Sequence, residues 1–299
     1  MKKVLVTGAW KCTESDLAKL EDLGYQVVYH KNEADLLPVA CEEIHGAVCN
    51  GLFLHHPVEK FTSLEFVQLT SAGLDRVPMS YMTSHNVKVF NAAGVYSVPM
   101  AEYAVAGVLY LYKQAAFFHG MQKLLRWEKH RGLLELFGKT VCILGCGNVG
   151  GECAARFAAF GCRVIGVDAY SKEDPRFAEV YGIDKLHDAL AQSDILVLSL
   201  PLTDETYHII NESAFSVMKQ GSVLVNISRG AVVDETALCK ALKDKLFGAV
   251  LDVFEQEPLA VDSPLWTLEN AFITPHNSFV GDGNAERLSK RIIENLRSL

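Results

Sequence analysis

The stretch Gly145-Cys146-Gly147-Asn148-Val149-Gly150 constrains this chain more than any other. It follows an apolar run, Thr140 to Leu144, and opens a helical pattern from Gly151 to Phe160. A second apolar run, Arg163 to Val167, then ends at Asp168. A G-x-G-x-x-G between strand and helix, with an acid about 20 residues on, predicts a dinucleotide-binding βαβ unit. Gly145 permits the tight turn, Gly147 lets backbone approach a pyrophosphate, and Gly150 lets helix pack close to strand. Asn148 and Val149 complete the loop, where free N–H groups and a positive helix end face the phosphates. Asp168 is placed to accept from a ribose 2′-hydroxyl and to repel a 2′-phosphate, which favours NAD over NADP. Lys172 lies close by, beyond the strand end on a polar turn, and weighs less.

At 299 residues the chain is near the size at which one core divides into two. Strand patterns recur at Lys3–Thr7, Gln26–His30, Gly46–Cys49, Phe66–Thr70 and Val87–Phe90, with helical stretches at Glu14–Leu23 and Ala34–Cys41. A long helix is expected from near Ser97, with Ser97 as its N-cap and Pro99 in its first turn. Strand patterns then return at Val141–Leu144, Arg163–Val167, Ile195–Ser199, Ser222–Ile227, Gly248–Leu251 and Ala271–Ile273. This alternation predicts α/β architecture with two doubly wound parallel-sheet domains. The last segment, Asn284 to Leu299, carries Leu288, Ile292, Ile293 and Leu296 on one helical face and must pack back on an earlier layer.

The net charge of −8 argues against a nucleic-acid partner. The apolar run Tyr103–Tyr112 is shorter than the roughly 20 residues a membrane helix needs; it reads as a helix buried between domains or subunits. Met1-Lys2-Lys3 leads straight into Val4-Leu5-Val6, so no signal peptide or membrane partner is expected and the expected compartment is cytoplasmic. The eight cysteines form no C-x-x-C pair, and no paired Cys/His spacing suggests a metal. Cys146, near a helix N-terminus, is either an inert turn residue or a thiol of lowered pKa.

Three short motifs end later strands. Asn226-Ile227-Ser228-Arg229-Gly230 offers an arginine whose fork geometry suits a carboxylate. Leu251-Asp252-Val253-Phe254-Glu255-Gln256-Glu257-Pro258 offers three carboxylates, among which composition does not choose. Thr274-Pro275-His276-Asn277-Ser278 offers a histidine at the same sheet edge. A carboxylate beside an imidazole favours its charged form and suits it to acid–base work. Reduction of a keto acid needs this set: a cation, a proton donor and a bound hydride source.

With these motifs the chain resembles the NAD-dependent D-isomer-specific 2-hydroxyacid dehydrogenases. Further matching pieces are Ser199-Leu200-Pro201-Leu202-Thr203, Gly230 to Glu235 with Ala237-Leu238, Pro264-Leu265-Trp266 and Ser71-Ala72-Gly73-Leu74-Asp75. The resemblance implies a flavodoxin-like substrate domain, residues 1–96 plus 278–299, and an inserted Rossmann NAD-binding domain, residues 97–277. It implies Glu257 as the partner of His276, Arg229 as the group that orients the substrate, and Asp252 facing the nicotinamide carboxamide. Pro201 joins the cofactor-binding set. Backbone N–H groups of Ala72, Gly73 and Leu74 are implied to hold the carboxylate of a small 2-keto or 2-hydroxy acid. It also implies a homodimer through the 97–122 region. Asn277-Ser278 replaces the more usual apolar pair after the histidine.

Two alternatives accompany this expectation. Some members of the fold group are NAD-sensing corepressors, but an intact Arg229, Glu257 and His276 set favours turnover. The other is a phosphoglycerate dehydrogenase-type enzyme. There, an arginine soon after the strand Gly46–Cys49 grips a phosphate, whereas alignment by eye puts Asn50 here, so the expected substrate is a small unphosphorylated 2-keto acid, or one with an apolar tail resting on Leu52 and Phe53. A formate dehydrogenase would carry glutamine where Glu257 stands.

Overall fold

The computed structural model describes residues 1–170 and 174–299. Lys172 lies outside them. The chain divides into two compact units, Met1–Tyr96 with Gly281–Leu299, and Ser97–Val280.

The first unit is built on strands β1 (Lys2–Thr7), β2 (Tyr25–His30), β3 (Ile44–Cys49), β4 (Phe66–Leu69) and β5 (Lys88–Phe90). They pair in parallel in the order β2-β1-β3-β4-β5, the flavodoxin-like order. Alternating residues send Val4 and Val6 to one face and Leu5 to the other. The helix Asn284–Arg297 covers the first face with Leu288, Ile292, Ile293 and Leu296, as its periodicity requires. Its polar contacts fix the register: Trp10 Nε1 donates to Ser289 Oγ at 3.0 Å, and Asn295 Nδ2 donates to the buried Gln68 at 2.8 Å. The helix expected at Ala34–Cys41 does not form. Asn32 Oδ1 accepts from Ala34 N and its amide reaches Asp35, a turn that competes with helix, and Pro38 follows. Only a short 3₁₀ turn, Cys41–Glu43, remains.

The second unit holds β6 (Thr140–Leu144), β7 (Arg163–Val167), β8 (Glu179–Tyr181), β9 (Ile195–Leu198), β10 (Val223–Asn226), β11 (Gly248–Leu251) and β12 (Ala271–Ile273). All pairings are parallel, in the order β12-β11-β10-β9-β6-β7-β8. The order reverses between β6 and β9, the switch point at which such sheets bind ligands outside their strand C-termini. Both faces are covered: Cys142 and Leu144 join one core, Val141 and Ile143 the other. β8 escaped the sequence pattern because it is three residues long with no buried position.

The expected long helix from Ser97 is two helices, Ser97–Tyr112 and Ala115–Lys123, separated by Gln114 in the left-handed region at φ 52°. Ser97 is itself helical and buried rather than a cap. The apolar run Tyr103–Tyr112 packs within this unit through Ala104, Val105, Val108, Leu111 and Tyr112, and a Cβ on Gly107 would lie 2.5 Å from Val250 of β11. The second crossing falls after Val280 rather than after Asn277. Asp252 holds the amides of Asn277 and Ser278, and Val280 N donates to Asn277 O, so these residues stay with the second unit. Among the described residues, no helix is long and apolar enough to cross a membrane, and no group of three or more His, Cys, Asp or Glu is placed to hold a metal.

Candidate active site

The glycine loop closes between β6 and the helix Asn148–Ala159. Gly145 sits at φ +97°, and a Cβ there would lie 2.8 Å from Leu200 N, at the end of β9. A Cβ on Gly150 would lie 2.0 Å from Gly145 O, so only glycine allows this helix to start so close to its strand. At Gly147 an added Cβ meets nothing within 4 Å, and no side chain caps the helix that follows. An open cradle before Asn148 and Val149, with uncapped N–H groups, fits a pyrophosphate. Asp168 Oδ2 accepts from Cys146 N at 2.7 Å and Oδ1 from Tyr170 N at 2.9 Å. The acid at the end of β7 therefore also ties the loop down. Pro201 is exposed beyond β9, its carbonyl accepting from Thr206 Oγ1 at 2.8 Å.

Of the two readings of Cys146, the structure favours the inert one. Burial, then the charges of Asp168 and Asp174, push its thiol up to about 12. These outweigh any lowering by the helix end.

Arg229, Asp252 and His276 follow β10, β11 and β12, at one edge of the sheet. Asn226 builds the first turn: Oδ1 accepts from Ser228 N at 3.1 Å and Nδ2 donates to Arg229 O at 3.0 Å. Arg229 is half-buried, with Nη1 donating to Ser228 O at 2.8 Å. Gly230 is required by contact, since a Cβ would lie 1.8 Å from the carbonyl carbon of Phe254.

Asp252 is fully buried. Oδ1 accepts from Thr274 Oγ1 at 2.5 Å and from Asn277 N at 2.7 Å, and Oδ2 accepts from Ser278 N at 2.8 Å. Both oxygens thus serve the turn that carries His276, a role the sequence pattern did not reveal. The backbone carbonyl of Asp252 adds an acceptor for His276 N at 2.8 Å. These bonds hold His276 at φ +50°, a left-handed position that non-glycine residues occupy at a cost.

Geometry also separates the carboxylates. Glu257 Oε2 lies 2.8 Å from His276 Nδ1, and its Oε1 accepts from Phe254 N at 3.1 Å. Glu255 turns elsewhere, to Glu235 and His208. One ring nitrogen of His276 is therefore anchored on a carboxylate, which leaves Nε2 for proton exchange.

In the first unit, the loop after β4 is shaped by Ser71 Oγ donating to Gly73 O at 3.1 Å and Asn91 Nδ2 donating to Ala72 O at 2.7 Å. Among the described residues, none accepts from the N–H groups of Ala72, Gly73 or Leu74. Two features of the neighbouring strand ends differ from expectation. Leu52 is fully buried and Phe53 packs on Phe61 at 5.6 Å, so Leu52 offers no surface to a substrate tail. Glu33, invisible in the sequence pattern, accepts from Thr7 Oγ1 at 2.7 Å, Asn50 N at 2.7 Å and Gly51 N at 2.6 Å. It puts an internal carboxylate on the turn at which the resemblance implies an arginine in phosphoglycerate dehydrogenase-type enzymes.

Known proteins agree with this architecture. The family profile described as D-isomer specific 2-hydroxyacid dehydrogenase, NAD binding domain, matches residues 105–278. The chain is 34% identical over 246 residues to a glyoxylate reductase of Korarchaeum cryptofilum, covering 80% of this chain and 74% of that protein. A D-isomer specific 2-hydroxyacid dehydrogenase family protein from Aeromonas salmonicida superposes with a TM-score of 0.83 at 31% identity, covering 98% and 94% of the two chains. The D-lactate dehydrogenase of Aquifex aeolicus, solved with NAD and lactic acid, superposes at 0.78 and 27% identity, covering 99% and 94%. The second unit carries the NAD-binding domain, and the chain belongs to the D-isomer specific 2-hydroxyacid dehydrogenases.

Proposed function

We propose that this protein interconverts small, unphosphorylated D-2-hydroxy acids and their 2-keto acids with NAD(H). The observation that carries the reading is the His276–Glu257 pair at 2.8 Å, at the sheet edge that also presents Arg229. In the reducing direction, NADH would be the hydride source for the keto carbon. His276 Nε2 gives a proton to the keto oxygen, while Glu257 on Nδ1 fixes the ring and stabilises its charged form. Arg229 orients the substrate carboxylate and polarises the carbonyl. Asn148, Val149 and the Gly145–Gly150 turn would hold the pyrophosphate, Asp168 would take the ribose hydroxyls, and Pro201 would border the cofactor.

The test is NADH oxidation against a panel of glyoxylate, hydroxypyruvate, pyruvate and 3-phosphohydroxypyruvate, repeated with NADPH. Turnover of a small keto acid with NADH preferred is expected. Absence of turnover with every acid, while NADH still binds, would favour a non-catalytic sensor instead.

We also propose a homodimer through the 97–122 region. Just beyond it, Leu125 and Trp127 are 95% and 98% exposed, and Phe118 and Leu124 add apolar surface. Sedimentation should give twice the chain mass, and Trp127→Glu with Leu125→Glu should shift it toward the monomer.

A further inference from the structure

A second charged cluster lies beside the His276–Glu257 pair and takes no part in the chemistry proposed above. Glu235 opens the helix Glu235–Asp244, and Glu255 lies two residues before Glu257. Each carboxylate accepts from the other's backbone. Glu235 N donates to Glu255 Oε1 at 2.9 Å, and Glu255 N donates to Glu235 Oε1 at 2.7 Å. His208 Nε2 lies 3.1 Å from the same Glu255 Oε1. His208 is held there by its own backbone: φ is +49°, its N donates to Ala231 O at 2.8 Å, and Tyr207 stacks on its ring at 4.0 Å.

Three facts make this more than a surface ion pair. The bonds are reciprocal and fix backbone, not only side chains. The clamped residue, Glu255, adjoins Phe254, whose N–H holds Glu257 Oε1. The Phe254 carbonyl and Glu255 N also pack directly on Gly230, the neighbour of Arg229. One short piece of chain therefore touches the acid of the proton-donating pair and the turn of the orienting arginine. Two carboxylates side by side are unfavourable as a structural device alone. Burial and the Glu255 charge raise the pKa of Glu235, while the bond from Glu255 N, and after it His208, oppose that rise.

We propose that Glu235 and Glu255, with His208 against them, are positioning residues that hold the 254–257 backbone, and through it Glu257 and the Arg229–Gly230 turn, in register for hydride transfer. The inference rests on the dehydrogenase reading above.

The test compares Glu235→Ala, Glu255→Ala and the double variant with Glu235→Gln and Glu255→Gln. The substrate is the keto acid that wild type reduces fastest. Each alanine variant should lower kcat by up to about 10²-fold, the cost of a small misplacement of reacting groups. NADH affinity and the melting curve should stay near wild type. The double variant should be no slower than the slower single one, because both residues serve one joint. The glutamine variants keep an acceptor oxygen and should recover most of the rate. Unchanged kcat in the alanine variants, additive losses, or glutamine variants as slow as alanine would overturn the proposal. Backbone hydrogen exchange gives a readout independent of turnover: Glu255 N–H should exchange faster in Glu235→Ala, and Glu235 N–H faster in Glu255→Ala. If wild type reduced no keto acid, the functional reading would fall, and unchanged exchange would separately overturn the joint.

Discussion

The Nδ1 atom of His276 lies 2.8 Å from Glu257 Oε2, although the two residues follow different strands. The contact exists because each partner is held from behind. His276 N bonds to the Asp252 carbonyl, and Glu257 Oε1 accepts from Phe254 N. The pair is therefore pre-organised by backbone, which is what a proton donor acting in a transition state requires.

Replacing His276 by alanine should lower kcat by about 10²–10⁴-fold, the usual contribution of general acid catalysis. Arg229→Ala should lose turnover as well, with a marked rise in the KM of the keto acid. Both side chains are partly exposed or at a strand end, so melting temperature and NADH binding should stay near wild type. Steady-state kinetics with a fluorescence titration of NADH check this. Retained turnover in His276→Ala would remove that residue from the proton-transfer role.

Asp252 should matter for stability and rate together. In Asp252→Asn, the new amide nitrogen must face one of the donors that the carboxylate now accepts: Thr274 Oγ1, Asn277 N or Ser278 N. A buried donor left without an acceptor costs about 1–3 kcal/mol. The turn that carries His276 should loosen, so kcat falls along with unfolding free energy. Denaturant unfolding and kinetics measured on the same preparation decide it. A variant as stable and as fast as wild type would show that the carboxylate does not hold this turn.

The glycine loop, Asp168 and the strand-end motifs were legible because each is a local pattern with local consequences. Periodicity also disclosed nearly every strand and the closing helix with Leu288, Ile292, Ile293 and Leu296. What stayed hidden depends on distant contacts. Nothing near Glu33 announces Asn50 and Gly51 as its donors, and nothing in the Asp252 motif announces Ser278. Glu255 and Glu257 have the same chemistry two residues apart. Only the path of the backbone sends one to His276 and the other to Glu235. The break at Gln114 was missed for the converse reason: helix propensity continues through a point where the chain turns left-handed.

Stability should fall in alkali. Burial pushes the thiols of Cys142 and Cys153 up to about 12, and that of Cys162 up to about 11. An unfolded thiol titrates near roughly 8.5. The folded state thus holds these protons more tightly, so the contribution is complete below about pH 8.5 and is lost as pH rises toward 11–12. Melting temperature should decline steadily above about pH 9, and the decline should be shallower in Cys142→Ala/Cys153→Ala. Equal slopes would show that other groups govern alkaline unfolding. For the same reason Cys146, pushed up to about 12, should resist thiol-specific reagents at neutral pH.

The last prediction concerns the tail of the substrate. β3 and β4 are neighbours in the first unit, so the turn at Asn50–Gly51 and the loop Ala72–Leu74 follow adjacent strands. A phosphate recognised at that turn would need a cation or free N–H groups. The turn offers Asn50 in place of arginine, and Glu33 already occupies the N–H groups of Asn50 and Gly51 at 2.7 and 2.6 Å. A phosphate brought there meets a like charge and loses hydration without compensation. Hydroxypyruvate should therefore have a higher specificity constant than 3-phosphohydroxypyruvate at fixed NADH. Glu33→Gln removes the charge and turns its amide nitrogen toward either Asn50 N or Gly51 N, which frees that donor for an anion, so it should narrow this gap. Adding Asn50→Arg should narrow it further. A wild-type preference for the phosphorylated acid would sink the reading, and an unchanged ratio in Glu33→Gln would show that Glu33 does not set it.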